Sequence, residues 1–317
     1  MARHARFALL AGGALSAAAC AATPSATPPS AEPCGRECLI GAVESYLDAM
    51  VARDPSLAPL AEDVAFTENT EALAVGQGEW ERVAGVRDYK VYAVDPDAGQ
   101  VALYTVVDEP DRPALFTLRV KIENRLITEV ETVRVGIGQT GFGSVDDLVT
   151  AASTWNETLP PERRRSREEM IAITDRYFET LEHQYVDYIP FTDDCLRVEN
   201  GVVTAGQEGG EGIGAMNCRE NLNQPIWAYI TEVNPRRYLV VDEEKGLVSG
   251  MFMFRHGGLY DTYTNADGEV VPMPDAMMVQ QAVIISELFK IDDGRISRIE
   301  AVMTGGLDLD ADDGWPG

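Results

Sequence analysis

Setting aside an N-terminal export segment leaves two histidines, His183 and His256. Imidazole is the side chain whose ordinary pKa lies closest to neutral pH, so these two are the first candidates for moving a proton. His256 ends the run Met251-Phe252-Met253-Phe254-Arg255-His256, where strand alternation sets Phe252, Phe254 and His256 on one face. An imidazole beside two aromatic rings suits a general acid or base next to a carbonyl. An ordinary strand-end histidine ahead of Gly257-Gly258 is the competing reading. His183 follows a helix, either as a pocket residue or as a solvated histidine favoured by the helix C-terminus. Tyr177 projects from the same helix, and a buried phenol can donate to a developing oxyanion or simply fill a core. The candidate catalytic set is therefore His256, His183 and Tyr177.

A second group would hold the substrate. Alternation places Cys195, Arg197 and Glu199 on one strand face and Asp194, Leu196, Val198 and Asn200 on the other. Asn200 could orient a substrate oxygen, although the Glu-Asn pair it belongs to occurs twice in the chain. Trp227, Tyr229, Tyr260 and Tyr263 supply aromatic surface, with Arg219, Arg236 and Arg237 nearby. The candidate binding set is Arg197, Asn200, Trp227, Arg219, Tyr260 and Tyr263. For any single arginine the competing role is an ion pair in an acidic chain. No two cysteines or histidines stand at metal-ligand spacing, so no metal is expected. No P-loop, His-Glu-x-x-His or Gly-x-Ser-x-Gly motif is present, and no cofactor is expected. The glycine-rich stretch from Gly206 to Gly214 carries acidic residues instead of the lysine of a phosphate loop, and reads as an inserted loop.

These candidates concentrate in the second half of a duplicated chain. Subtracting 131 places residues 171–200 on residues 40–69 without a gap: Tyr177 falls on Tyr46, Pro190 on Pro59, Asp194 on Asp63, and Glu199-Asn200 on Glu68-Asn69. The echo resumes at an offset of 147 for Val94-Asp95 against Val241-Asp242, and of 169 for Lys121-Ile122 against Lys290-Ile291. A growing offset means loop insertions in the second copy, and internal duplication means two small related domains instead of one large one. His183 corresponds to Ala52, His256 to Glu109 and Arg197 to Phe66. That asymmetry is expected when one copy does chemistry and the other supports it.

Each copy opens with a helix, marked by Leu39, Val43, Tyr46, Leu47 and Met50 in the first and by Met170, Ile171, Thr174, Tyr177, Phe178 and Leu181 in the second. Ser166 and Glu169 have capping-box spacing. Strand-like runs follow at 89–94, 100–107, 114–122 and 126–134, and again at 237–241, 247–254, 282–291 and 295–303. A helix followed by a curved, mostly antiparallel sheet is an α+β unit. The order helix, acidic turn, short strand and long strands resembles the nuclear transport factor 2-like superfamily, especially its SnoaL-like and ketosteroid-isomerase-like branches. The resemblance rests on Tyr177-Phe178, residues 190–195, residues 197–201, residues 240–244 and residues 252–257. It implies two tandem cone-shaped domains packed sheet against sheet as a fused dimer, either monomeric or a homodimer. The superfamily hosts both enzymes and binding modules, so the fold alone leaves function open.

The expected organisation is a signal peptide at 1–20, a Pro/Ala/Thr/Ser tether at 21–35, a first repeat at 36–136, a linker at 137–165, a second repeat at 166–305 and an acidic tail at 306–317. Arg3, His4 and Arg6 precede an apolar run too short to span a bilayer, and Ala17-Ala18-Ala19-Cys20 resembles a bacterial lipoprotein signal. Cys20 is the expected lipid attachment point, and simple cleavage with secretion is the alternative. The expected location is the bacterial cell envelope, periplasmic or anchored at the outer membrane. Cys34, Cys38, Cys195 and Cys218 remain and allow three pairings. Cys34–Cys38 with Cys195–Cys218 keeps each bridge inside one repeat. A formal net charge of −26 argues against nucleic acid and anionic lipid as partners. Membrane contact would run only through the lipid. The one basic cluster, Arg163-Arg164-Arg165 with Arg167, reads as solvated linker surface.

The functional expectation is a cofactor-free exported lyase or isomerase acting on a small carbonyl-bearing or polyhydroxylated, partly apolar molecule, with hydrolysis as a variant. A histidine would take the proton while Tyr177, with Asn200 or Arg197, stabilises the oxygen. The alternative is a non-catalytic envelope lipoprotein that binds a hydrophobic small ligand or a protein partner.

Overall fold

The spacing of apolar residues sets each copy's central helix. In the computed structural model, which describes Met1 and residues 34–138, 143–183, 189–209, 212–265 and 268–315, helix α1 (Arg36–Ala52) buries Leu39, Val43, Tyr46, Leu47 and Met50. The signal peptide, Cys20 and nearly all of the tether lie outside the described residues. After α1 come β1 (Leu60–Glu68), β2 (Glu71–Ala72), α2 (Glu79–Arg82), β3 (Gly85–Asp95), β4 (Gln100–Asp108), β5 (Pro113–Glu123) and β6 (Leu126–Gly136). They form a six-stranded sheet in the order β2-β1-β6-β5-β4-β3, antiparallel except where β1 runs parallel to β6.

A linker containing α3 (Ser153–Asn156) leads to the second copy: α4 (Arg167–His183), β7 (Phe191–Glu199), β8 (Val202–Ala205), α5 (Cys218–Leu222), β9 (Ile230–Asp242), β10 (Leu247–His256), β11 (Thr262–Thr264), β12 (Val270–Pro272), α6 (Asp275–Met278), β13 (Gln281–Asp292) and β14 (Arg295–Leu307). The sheet order β8-β7-β14-β13-β10-β9 repeats the first. The Ser166–Glu169 capping box is formed, with Ser166 N–H on the Glu169 carboxylate at 3.0 Å.

The two sheets match residue for residue. Leu118 lies opposite Thr132 and Glu287 opposite Ala301; Phe66 lies beside Val130 and Arg197 beside Ile299. Both Glu-Asn pairs end in the same lock. Asn69 and Asn200 adopt left-handed backbone, with φ 49° and 46°. Each carboxamide exchanges two hydrogen bonds with one residue of the last strand, Asn69 with Arg134 (3.0 and 2.8 Å) and Asn200 with Met303 (3.1 and 2.9 Å). Asparagine tolerates this conformation because its short amide bonds locally.

Each sheet wraps its helix around its own core, and a third core lies between the two sheet backs. There Val91, Ala93, Tyr104 and Leu115 meet Leu247, Met251, Met253 and Ile284. Tyr104 Oη sits 3.0 Å from both Ser249 Oγ and Ser286 Oγ. The contact has pseudo-twofold symmetry. Arg36 from α1 forks onto Asp242 at 2.8 and 2.7 Å, and its twin Arg167 from α4 pairs with Asp95. Asp242 also accepts Val94 N–H, and Asp95 accepts Val241 N–H, both at 3.1 Å. Residue i meeting j while j's twin meets i's twin is the signature of an isologous dimer interface, here inside one chain.

Two sequence expectations change at this interface. The arginine cluster is ion-paired, not merely solvated: Arg163 pairs with Asp292, Arg165 with Asp293 and Arg167 with Asp95, while Arg164 donates to Leu159 O at 2.7 Å. Arg163 and Arg165 thus clip the linker to the second repeat, Arg167 of α4 ties that repeat to the first, and Val145, Leu148 and Trp155 of the linker are buried in the inter-sheet core. The acidic tail is likewise docked as far as it is described. Asp313 accepts from Arg237 at 2.5 Å, and Trp315 lies under Arg119 (4.8 Å) and Arg237 (5.8 Å). The disulfides are Cys34–Cys38 and Cys195–Cys218, each inside one repeat, as an oxidising compartment permits.

Candidate functional site

Inside the second cone, β7 and β13 turn charged residues inward among aromatic rings. Arg197 is 2 % exposed and Glu287 is 1 % exposed. The Arg197 guanidinium stacks 4.9 Å from the Trp227 ring and 6.0 Å from the Tyr177 ring, and its Nη2 donates to Glu199 at 2.5 Å. Trp227 is anchored in turn by its Nε1–H on Asn221 O at 2.7 Å. Phe178 and Phe289 pack edge-on around Tyr177, both near 5 Å.

This cluster leaves polar atoms unmatched. Among the described residues, Arg197 Nε and Nη1, Tyr177 Oη and Glu287 Oε2 are buried and make no hydrogen bond of ordinary geometry. Buried polar groups are nearly always bonded, so leftover guanidinium donors in such a cluster are suited to an oxygen acceptor. Tyr177 and Glu287 nevertheless face each other as a phenol–carboxyl hydrogen-bonding pair, which raises the phenol and lowers the carboxyl. Burial pushes Glu287 up to about 8, opposed by Arg197 and reinforced by Glu199. Burial also raises Tyr177, keeping it a neutral donor, and raises Tyr229. Arg197 stays charged: burial lowers its pKa, but Glu199 and its other neighbours more than reverse that. At neutral pH the set is one ion pair, one protonated carboxyl and neutral phenols.

A raised carboxyl alone does not mark a site. Glu79, at the mouth of the first cone, is pushed to about 8 by burial, and Glu300, between the sheets, to about 7. Both have ionic or hydrogen-bond partners: Glu79 Oε2 pairs with Arg82 and Arg134 at 3.3 and 3.4 Å, although its Oε1 is unbonded among the described residues, and Glu300 accepts from Tyr89 at 2.6 Å. Glu287 differs in facing orphaned donors.

The candidates named from sequence fall into two groups. Tyr177, Arg197 and Trp227 are brought together. His256 stands at the edge of the cluster, its ring edge-on to Tyr229 at 4.7 Å, with Nδ1 buried and unbonded among the described residues. Burial drops its pKa to about 4, so the imidazole is neutral at pH 7. The remaining candidates lie elsewhere. His183 is exposed at the end of α4, 3.6 Å from Glu179. Asn200 is spent on the Met303 lock. Arg219 is exposed and donates to Ile189 O at 2.8 Å, and Tyr260 is half exposed. Tyr263 packs from outside against the second core. Arg236 pairs with Asp175, Glu179 and Glu182, and Arg237 with Glu131 and Asp313. Glu179, Glu182 and His183 bring ligand atoms close together, but Arg236 already supplies the cation to both carboxylates.

Sequence reasoning missed Glu287, although a signal was present. It is the only charged residue in Ala282-Val283-Ile284-Ile285-Ser286-Glu287-Leu288-Phe289, a run that otherwise reads as a buried strand. Its twin, by the 169 offset, is Leu118. The second copy also carries a long connection between β10 and β13, containing β11, β12 and α6, where the first has only residues 109–112. This segment covers the second core: Met273 is buried in it, Tyr263 and Met277 pack on it, and Gly257 N–H bonds Tyr229 O at 3.1 Å.

A family model described as "Domain of unknown function (DUF8021)" matches residues 32–134 and 163–303, spanning both repeats. No curated protein matches the sequence. Among solved structures, the chain is similar to a nuclear transport factor 2-like protein of unknown function from Burkholderia xenovorans LB400 (13% identity, 32% of this chain, 84% of that one, TM-score 0.26). It is also similar to a protein from Kribbella flavida DSM 17836 provisionally assigned as a ketosteroid isomerase (15%, 37% and 90%, TM-score 0.28). A third, from Silicibacter sp. tm1040, is provisionally assigned as a polyketide cyclase (16%, 43% and 90%, TM-score 0.29). Each covers well under half of this chain.

Proposed function

For this chain, which belongs to the DUF8021 family, we propose that the second cone is a cofactor-free proton-transfer site for a small carbonyl compound, of isomerase or lyase type. The observation that carries the reading is the convergence of Arg197, Tyr177 and Glu287 inside one buried cone, with Arg197 Nε and Nη1 unbonded among the described residues. A substrate oxygen accepting from Arg197 and Tyr177 would be polarised, and the charge developing on it would be held by donors already in place. Glu287 would move the proton. A carboxyl pushed to about 8 exchanges readily between acid and base near neutral pH, which is where general acid–base catalysis works best. His256, neutral at the edge, would serve as a hydrogen-bond acceptor and not as the primary base. The structural relatives provisionally assigned as an isomerase and a cyclase are compatible with this reading but do not carry it.

The same reading sets the chain in the bacterial cell envelope, exported and held by lipid on Cys20, with the two disulfides formed after export. The first cone serves as the fused structural partner.

The test is hydrogen–deuterium exchange at the carbon next to the carbonyl of small ketones, followed by NMR in deuterated buffer with the mature chain. Exchange above the buffer rate that disappears in Glu287→Gln and persists in His183→Ala supports the proposal. Exchange that survives in Glu287→Gln, or is absent for every ketone, sinks it and favours the hydrophobic binding module.

A further inference from the structure

Resting on the second cone as the site, we propose that it admits an uncharged carbonyl compound and excludes the matching carboxylate. Among the described residues of the cluster Arg197 brings the positive charge, and Glu199 already neutralises it through a 2.5 Å bond. The other groups facing the guanidinium add no positive charge: Glu287 on β13, Tyr177 on α4, and Tyr229 ahead of β9, with His256 of β10 beyond it. Trp227, Phe178 and Phe289 pack in the same core. A buried ion needs a partner of opposite sign, and leaving one uncompensated is strongly unfavourable. A carboxylate entering here would make a second anion beside Glu199 and near Glu287, with no further cation among the described residues facing Arg197 to meet it. A neutral carbonyl oxygen accepts the same N–H and O–H donors without adding charge. The first cone strengthens the inference: with Phe66 and Leu118 in place of Arg197 and Glu287, it lacks the pair altogether.

Acetophenone and benzoate test this directly, because they share a skeleton and differ in whether a methyl group or a charged oxygen flanks the carbonyl. Binding to the mature chain would be followed by calorimetry, or by saturation-transfer NMR for millimolar affinity. Acetophenone should bind at least tenfold more tightly than benzoate. In Glu199→Gln, which exposes the Arg197 charge at unchanged side-chain size, the ratio should shift at least tenfold toward benzoate. Glu199→Asp, which keeps the charge, should restore the original order, and circular dichroism should show both variants folded. Benzoate binding as well as acetophenone, a ratio unmoved by Glu199→Gln, or no acetophenone binding would overturn the proposal. The deuterium-exchange result is independent. Neutral selectivity without Glu287-dependent exchange leaves the charge filter standing and removes the proton-transfer reading, and exchange without selectivity does the reverse.

Discussion

The first and second cones hold the same tyrosine in different company. Tyr46 and Tyr177 are both fully buried at twin positions on the central helices. In the first cone, Trp80 donates its Nε1–H to Tyr46 Oη at 2.8 Å, with the rings edge-on at 5.1 Å, and Phe66 and Leu118 complete an apolar fill. In the second, Trp227 stands at the place of Trp80 by the 147 offset, but Arg197 is stacked against its ring, its indole bonds elsewhere, and Tyr177 faces Glu287 instead. Two substitutions on a common frame, Phe66 against Arg197 and Leu118 against Glu287, convert an apolar fill around the tyrosine into a polar one. Because burying polar groups costs stability unless they are bonded, the first cone shows what the scaffold adopts when stability alone is served.

The largest expected effect comes from rewriting the second cone as the first. The triple variant Arg197→Phe, Glu199→Gln and Glu287→Leu should abolish exchange activity, while its melting temperature should exceed that of Arg197→Met. The single variant leaves the partly buried Glu199 without its cation, a loss of up to about 3–5 kcal/mol by analogy with broken buried pairs. Differential scanning calorimetry and the exchange assay check both. Next comes Glu287→Gln, which should lower the exchange rate by about 10²–10⁴-fold with the fold intact.

The third prediction sets Tyr177→Phe against Tyr46→Phe. Losing the Tyr177 donor should slow exchange by about 10²–10³-fold. Losing the Tyr46 hydroxyl should leave activity unchanged and cost about 1–3 kcal/mol, because it strands the Trp80 N–H. Equal effects on activity would erase the functional difference between the cones. The fourth concerns pH. Glu287 ionises near 4.5 when unfolded but is pushed to about 8 when folded, so between these values the native state keeps a proton that the unfolded chain has lost. Its contribution to stability is therefore present below pH 4.5 and lost as pH rises through 8. The melting temperature of wild type should fall more steeply between pH 5 and 8 than that of Glu287→Gln. The smallest effect is expected for His183→Ala, under twofold on activity, since that residue is exposed outside the cone.

Much of the frame could be read in advance. The helix stripes, the eight long strand runs and the Glu-Asn repeats reflect local periodicity and turn chemistry, which adjacent residues determine. The asymmetry between copies singled out Arg197, and the helix stripe singled out Tyr177. What could not be read were pairings set by topology. Arg197 and Glu287 meet only because β7 and β13 both flank β14. The linker arginines find carboxylates 72 and 129 residues away. Composition alone also could not decide whether His256 or a carboxyl carries the proton, because that depends on burial. Burial lowers an imidazole and raises a carboxyl, and here it moves Glu287 toward neutrality and His256 away from it.

The most direct test of the central claim is a crystal of the mature chain soaked with acetophenone. The account predicts ligand density in the second cone, its oxygen within hydrogen-bond reach of Arg197 and Tyr177, and none in the first. Density in the first cone, or only in the surface groove beside His183 and Arg236, would contradict it.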